Sequence, residues 1–167
     1  MGAAASTNLS GKTTFVINLE NKKAIDLNTI LDNLKISTGI EWTFGTGDNQ
    51  VNCLFHDQDS TDDTGKTVDL YAGSLKNAFG DAITMEKLKL LYVKNTHATL
   101  TLEILGTAVT GLDIVADPSD IIEIPPNGFF IFVAPLTGLD LTSNKDLKFA
   151  AKTAGTITYD YAVMGLD

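Results

Sequence analysis

The chain has 167 residues, 44% of them apolar, which suits one globular domain with a substantial core, so disorder is not the default reading. Its 21 Asp and Glu against 12 basic residues, all of them lysine, leave a formal net charge of -9. That balance argues against nucleic-acid backbones, which need clustered cations, and against anionic membrane surfaces; it suits a soluble particle that resists self-association.

The first residues, "MGAAASTNLSGK", lack the cationic start and apolar centre of a signal peptide. Gly2 followed by Ser6 fits a myristoylation pattern, but the small residues read first as a flexible arm over 1–12. A single domain is expected over 13–167. "TTFVINL" is a short candidate strand. In "LNTILDNL", Leu27, Ile30, Leu31 and Leu34 recur at helical spacing and predict a turn or two of helix. "KISTGIEWTF" alternates: Ile36, Thr38, Ile40, Trp42 and Phe44 share one face, as in a strand with one buried side.

"GTGDNQ" reads as a loop, since no periodic helix follows it to make a phosphate cradle. "VNCLF" is a strand with Val51, Cys53 and Phe55 together, so Cys53, the only cysteine, is expected in a core. A lone cysteine excludes a disulfide framework and a Cys-based zinc site. "HDQDSTDD" is read as an acidic loop. Its carboxylates Asp57, Asp59, Asp62 and Asp63 are the one group that could attract a hard cation such as Ca²⁺. The spacing is not that of an EF-hand, so a solvated turn is the first reading, and no metal or other cofactor is assigned.

"TVDLY" is a further short strand, and "SLKNAFG" a short helical turn ended by Gly80. "KLKLLYVKN" places Leu88, Leu90 and Tyr92 on one face. "NTHA" then reads as a hairpin connection to "TLTLEIL", with Leu100, Leu102 and Ile104 inward. "IIEI" and "LKFAA" add strands, and "TITYDYAV" closes with Ile157, Tyr159, Tyr161 and Val163 on one face. Nine or ten strands separated by Gly, Asn, Asp and Pro predict an all-β fold, a sandwich or barrel with one or two short helical turns.

One stretch breaks the alternation. In "IEIPPNGFFIFVAP" prolines and Asn-Gly enclose six apolar residues, Phe129 to Ala134, far short of the about 20 that cross a membrane as a helix. Phe129, Ile131 and Val133 share one side and Phe130, Phe132 and Ala134 the other. Both sides therefore need cover, from this chain or from a neighbouring subunit. Phe129, Phe130, Phe132 and Trp42 are the residues expected to carry core and interface packing. No pattern for nucleophilic or phosphate chemistry is present, so no catalytic residue is assigned and an enzyme is not expected. Trp42 and Tyr92 leave a carbohydrate-binding module as the alternative.

The phrases "FGTGDNQVNCLFHDQ" and "TVDLYAGSLKNAFGDAITMEKLKLLYVKN" together resemble a family of small tailed-bacteriophage head proteins. The likeness rests on Gly45, Gly47 and Gln50; on Leu54, Phe55 and Asp57; and on Asp69, Leu70, Ala72, Gly73, Leu75, Ala78, Phe79 and Gly80. "IPPNGFFIFVAP" and "GTITYDYAVMG" resemble the family's later phrases, so the likeness covers about residues 44–165. Tyr71 departs from a usually small residue, Asn127 stands where glycine is common, and the "HDQDSTDD" stretch is unusually acidic. The resemblance implies a jelly-roll-like β-sandwich that decorates or cements a capsid. It further implies a homotrimer on the outer capsid surface of the virion, with the major capsid protein as partner, made in the bacterial cytoplasm and without catalysis.

Overall fold

The structure is a computed structural model that describes residues 8–25 and 28–167, the side chains of residue 21 and of residues 23–32 excepted. Among the described residues fourteen strands follow in order: β1 (Gly11–Ile25), β2 (Asn28–Phe44), β3 (Gln50–Val51), β4 (Cys53–Thr61), β5 (Lys66–Asp69), β6 (Leu75–Lys76), β7 (Ala82–Ile83), β8 (Lys87–Asn95), β9 (Leu102–Leu105), β10 (Ile121–Ile124), β11 (Phe129–Val133), β12 (Leu139–Asp140), β13 (Asp146–Ala151) and β14 (Ile157–Leu166). The all-β expectation holds. Among the described residues, helix is limited to the 3-10 turn Asp113–Val115.

Two sheets form the body, ordered β11-β8-β14-β4 and β10-β9-β13-β5. Counting only these eight strands along the chain, each link crosses from one sheet to the other except the β9 to β10 link. That is the jelly-roll order, two Greek keys folded into a sandwich. Between the sheets lies the main core. Phe149 packs at a tilt against Tyr159, ring centroids 4.5 Å apart, and against Tyr161 at 5.5 Å, and Phe55 meets Tyr161 at 5.4 Å. Ile157, Tyr159, Tyr161 and Val163 are all buried, as their alternation predicts. Cys53 joins this core, and burial, with a smaller push from Asp167, raises its thiol to about 12. It is therefore packing rather than a nucleophile.

Several local expectations fail for identifiable reasons. Leu27 lies outside the described residues, but the rest of "LNTILDNL" belongs to β2, where antiparallel pairing with β1 overrides helical spacing. "SLKNAFG" is no helix either: β6 pairs with β7 around a turn held by Asn77, whose Oδ1 accepts the Phe79 and Asp81 amides, with Gly80 at φ 88°. "NTHA" does not close a hairpin, because β8 and β9 lie in different sheets. His97 instead organises the crossing, its Nδ1 accepting the Thr99 and Leu100 amides.

Leu88 and Leu90 do not share a face. Opposite β14 the register slips between Met164 and Gly165, leaving Lys89 as the extra residue of a bulge. Leu88 consequently enters the main core, and Leu90 faces the opposite side of the sheet. Gly165 sits at the slip, where a Cβ would stand 1.9 Å from the Lys87 carbonyl oxygen.

Candidate interaction surface

The segment before the sandwich carries the most unusual surface. β1 and β2 form a two-stranded antiparallel hairpin running from Gly11 opposite Trp42 to Ile25 opposite Asn28. At about 3.3 Å per residue it is about 50 Å long. Directly opposed residues share a face, so Leu19/Leu34, Ile17/Ile36 and Phe15/Thr38 form one stripe that runs down to Thr13/Ile40 and Gly11/Trp42. Behind them, Lys12/Glu41, Asn18/Lys35 and Glu20/Asn33 form a polar face. The stripe is bare: Leu19 is 61% exposed and Leu34 47%. An isolated two-stranded hairpin is at best marginally stable in water, so this stripe calls for cover.

Among the described residues, the hairpin is anchored at its root. Trp42, 2% exposed, packs with Val51, Leu90 and Met164 in a second, smaller core, joined by Leu9, Ile40, Tyr92 and Val133. Its indole Nε1 donates to Thr13 Oγ1 at 2.9 Å, tying the two arm strands together. The Gly-x-Gly-x-x-Gln loop has a mechanical reason. Gln50 Oε1 accepts the Gly47 amide at 2.8 Å, and a Cβ on Gly45 would lie 2.4 Å from that oxygen. Lys89 turns inward from its bulge and donates from Nζ to the Gly47 carbonyl at 2.6 Å. Burial pulls its pKa below the ordinary lysine value. The Asn49 amide bonds the Pro135 carbonyl, fastening the same loop to the end of β11.

The outer face of the β11-β8-β14-β4 sheet continues from this root. Registers align Val133, Leu90, Met164 and Leu54 in one row, which the arm root partly covers. The next row is Ile131, Tyr92, Ala162 and His56, and the third begins with Phe129 beside Lys94. Phe129 is 58% exposed, with its ring 6.3 Å from Tyr92. The two sides of β11 are thus met differently. Phe130 and Phe132 pack inward on the main core, and Val133 is held at the arm root. Phe129 stays open. Trp42 is a buried anchor and presents no face for stacking a sugar.

The acidic run is not one loop. Asp57 and Asp59 lie on β4, the edge of its sheet, and each carboxylate accepts the next residue's amide, that of Gln58 and of Ser60, at 2.8 Å. This occupies donors that another strand would need, and charge on an edge strand discourages extension of the sheet. Asp59 also pairs with Lys66 at 2.5 Å. Asp62 caps the following turn through Thr64, whose hydroxyl and amide bonds hold its carboxyl below the usual range. Asp63 is exposed. No group of three or more His, Cys, Asp or Glu converges among the described residues.

The second resemblance phrase is also built for turns. Asp69 Oδ1 accepts the Tyr71 and Ala72 amides at 2.9 Å, its other oxygen meets Lys145, and Gly73 takes φ 71°. Asn127 takes φ 59° in the turn that the Gly128 amide closes on the Pro125 carbonyl, a conformation asparagine tolerates.

Charge separates along the chain. Residues 1–44 hold four lysines and four carboxylates, whereas residues 45–167 hold eight lysines and seventeen carboxylates. The whole net charge therefore sits on the sandwich side. Comparisons with protein-family models, with curated proteins and with solved structures gave no match.

Proposed function

We propose that the chain is a structural virion protein, a decoration or cement subunit that binds the outer surface of a tailed-bacteriophage capsid as a homotrimer. The observation that carries this reading is a charge-neutral arm with a bare apolar stripe, rigidly rooted on an acidic jelly roll. Such a molecule works by static adhesion. Apolar area removed from water contributes about 25 cal/mol per Å², and a closed symmetric assembly repeats each contact without leaving one unsatisfied. The acidic sandwich keeps the particle soluble and repels nucleic acid. The resemblance of residues 44–165 to small phage head proteins points the same way.

The test is binding to purified heads of the phage that carries the gene. The intact chain is expected to pellet with heads at a fixed ratio to the major capsid protein and to raise their disruption temperature. A chain that stays in the supernatant at micromolar concentration overturns the capsid assignment.

A further inference from the structure

From one cavity and its charged rim we infer that the chain binds an organic cation on an apolar stem, the alkylguanidinium or alkylammonium chemistry that arginine and lysine side chains carry. The cavity, about 490 Å³, opens between the edge strand β4 and the β6–β7 hairpin, and its size is that of a small-molecule site. Its floor is apolar, made by Cys53, Phe55 and Ile83 of the main core. Side chains two residues apart share one side of a strand. The segments that send Phe55 and Ile83 to the floor therefore carry carboxylates to the rim, Asp57 beyond Phe55 in β4 and Asp81 just before β7. Asp167 adds a third carboxylate to the lining.

The rim is arranged to receive a positive charge. Asp59, Asp69 and Asp140 each hold a lysine, but among the described residues Asp57, Asp81 and Asp167 pair with none. Against these three carboxylates the lining holds one lysine, Lys76. The Gln58 amide occupies one oxygen of Asp57, and the Asn77 carboxamide one oxygen of Asp81. These bonds fix both carboxylates and leave each a second oxygen for a ligand. Phe79 stands at the lip, 82% exposed, on a turn that Asn77 ties through the Phe79 and Asp81 amides. The face of an aromatic ring attracts a cation, and a turn held in this way presents the ring already ordered. No three carboxylates or histidines converge among the described residues, so a bare metal ion finds no cage here. An organic cation uses the whole site, with its charge among the spaced carboxylates and its stem on the apolar floor.

Binding needs no capsid, so the purified chain is titrated with three probes and read by amide NMR shifts. Butylguanidine carries the charge and the stem, butylurea has the same shape without the charge, and Nα-acetylarginine amide offers the head group as a protein side chain does. Butylguanidine is expected to saturate at low millimolar concentration, with shifts confined to residues 53–57 and 76–83, and butylurea to bind at least about tenfold more weakly. Asp57→Asn with Asp81→Asn keeps a side-chain oxygen at each position and is expected to weaken butylguanidine about tenfold, since an exposed ion pair contributes up to about fivefold. Asp63→Asn, exposed and outside the cavity, is expected to leave binding unchanged. Amide spectra unchanged away from the cavity show that the variants fold. Equal affinity for the arginine derivative assigns the site to a side chain of a partner protein, and its exclusion assigns the site to a free small cation. Three results overturn the inference. They are no shifts in these segments at about 20 mM butylguanidine, butylurea binding as tightly as butylguanidine, and Asp63→Asn weakening binding as much as the double variant.

Discussion

Removing the Trp42 side chain isolates the arm from the sandwich. Trp42 is the largest member of the small core at the arm root, and it is buried against Val51, Leu90 and Met164. Truncating a buried aromatic to alanine costs about 3–5 kcal/mol. Against this, the root retains the Thr43 amide bond to Asn49 and the Gly45 amide bond to Val51, each contributing about 1 kcal/mol net. Cross-strand pairs farther out add only about 0.2–1 kcal/mol each, and an unsupported two-stranded hairpin is marginal. Trp42→Ala should therefore release the arm while leaving the jelly roll, whose main core excludes Trp42, folded. Amide hydrogen exchange checks this residue by residue. Protection should collapse in β1 and β2 and persist in β8, β13 and β14. Trp42→Phe, which keeps an aromatic ring in the small core but loses the bond to Thr13 and part of the packing, should retain more arm protection than Trp42→Ala. If Trp42→Ala leaves the arm protected, or unfolds arm and sandwich together in one transition, the reasoning that the root alone anchors the arm is wrong.

Three further outcomes follow from the structure. Gly165→Ala should destabilise the sandwich by several kcal/mol, read by chemical denaturation, because its Cβ would sit 1.9 Å from the Lys87 carbonyl in the bulged pairing. Lys89→Ala removes the donor that reaches the Gly47 carbonyl and should cost about 1–3 kcal/mol, with faster exchange in the 45–50 loop as its local signature. On acidification, burial favours the neutral form of Asp69, but the bonds from Lys145 and from the Ala72 and Tyr71 amides outweigh it and hold its pKa below 3.8. Its contribution is therefore fully present above pH 3.8 and lost as pH falls through the lower folded value, so the melting temperature should drop across that window and Asp69→Asn should flatten the drop.

Alternation in the sequence located most of the sandwich, and in β14 it named the inward residues one by one. It could not reveal what covers a face. Ile36 and Trp42 stand on one side of β2 and look alike in sequence, yet Trp42 is buried and Ile36 is bare, because among the described residues the hairpin meets the sandwich at its root. "LNTILDNL" satisfies helical spacing as well as strand pairing, and only the long partner strand β1 decides between them. Leu88 and Leu90 were misplaced by one bulged residue, which shifts the phase of a period-two pattern without leaving a signal in composition. The acidic run looked like a loop because Asp57 and Asp59 occupy an edge strand, where a carboxylate can bond the next amide and still reach water. Gln50 could have been suspected: an amide three residues after Gly47, in a loop with two glycines, is placed to fold back on the backbone.

The most direct test of an arm-based assembly is the mass of the intact chain in solution by light scattering, measured over a range of concentrations and again with purified heads. The account predicts a discrete oligomer, a trimer of about 54 kDa from a 17.9 kDa chain, that transfers to the head fraction. A strict monomer of 17.9 kDa with no affinity for heads would contradict it.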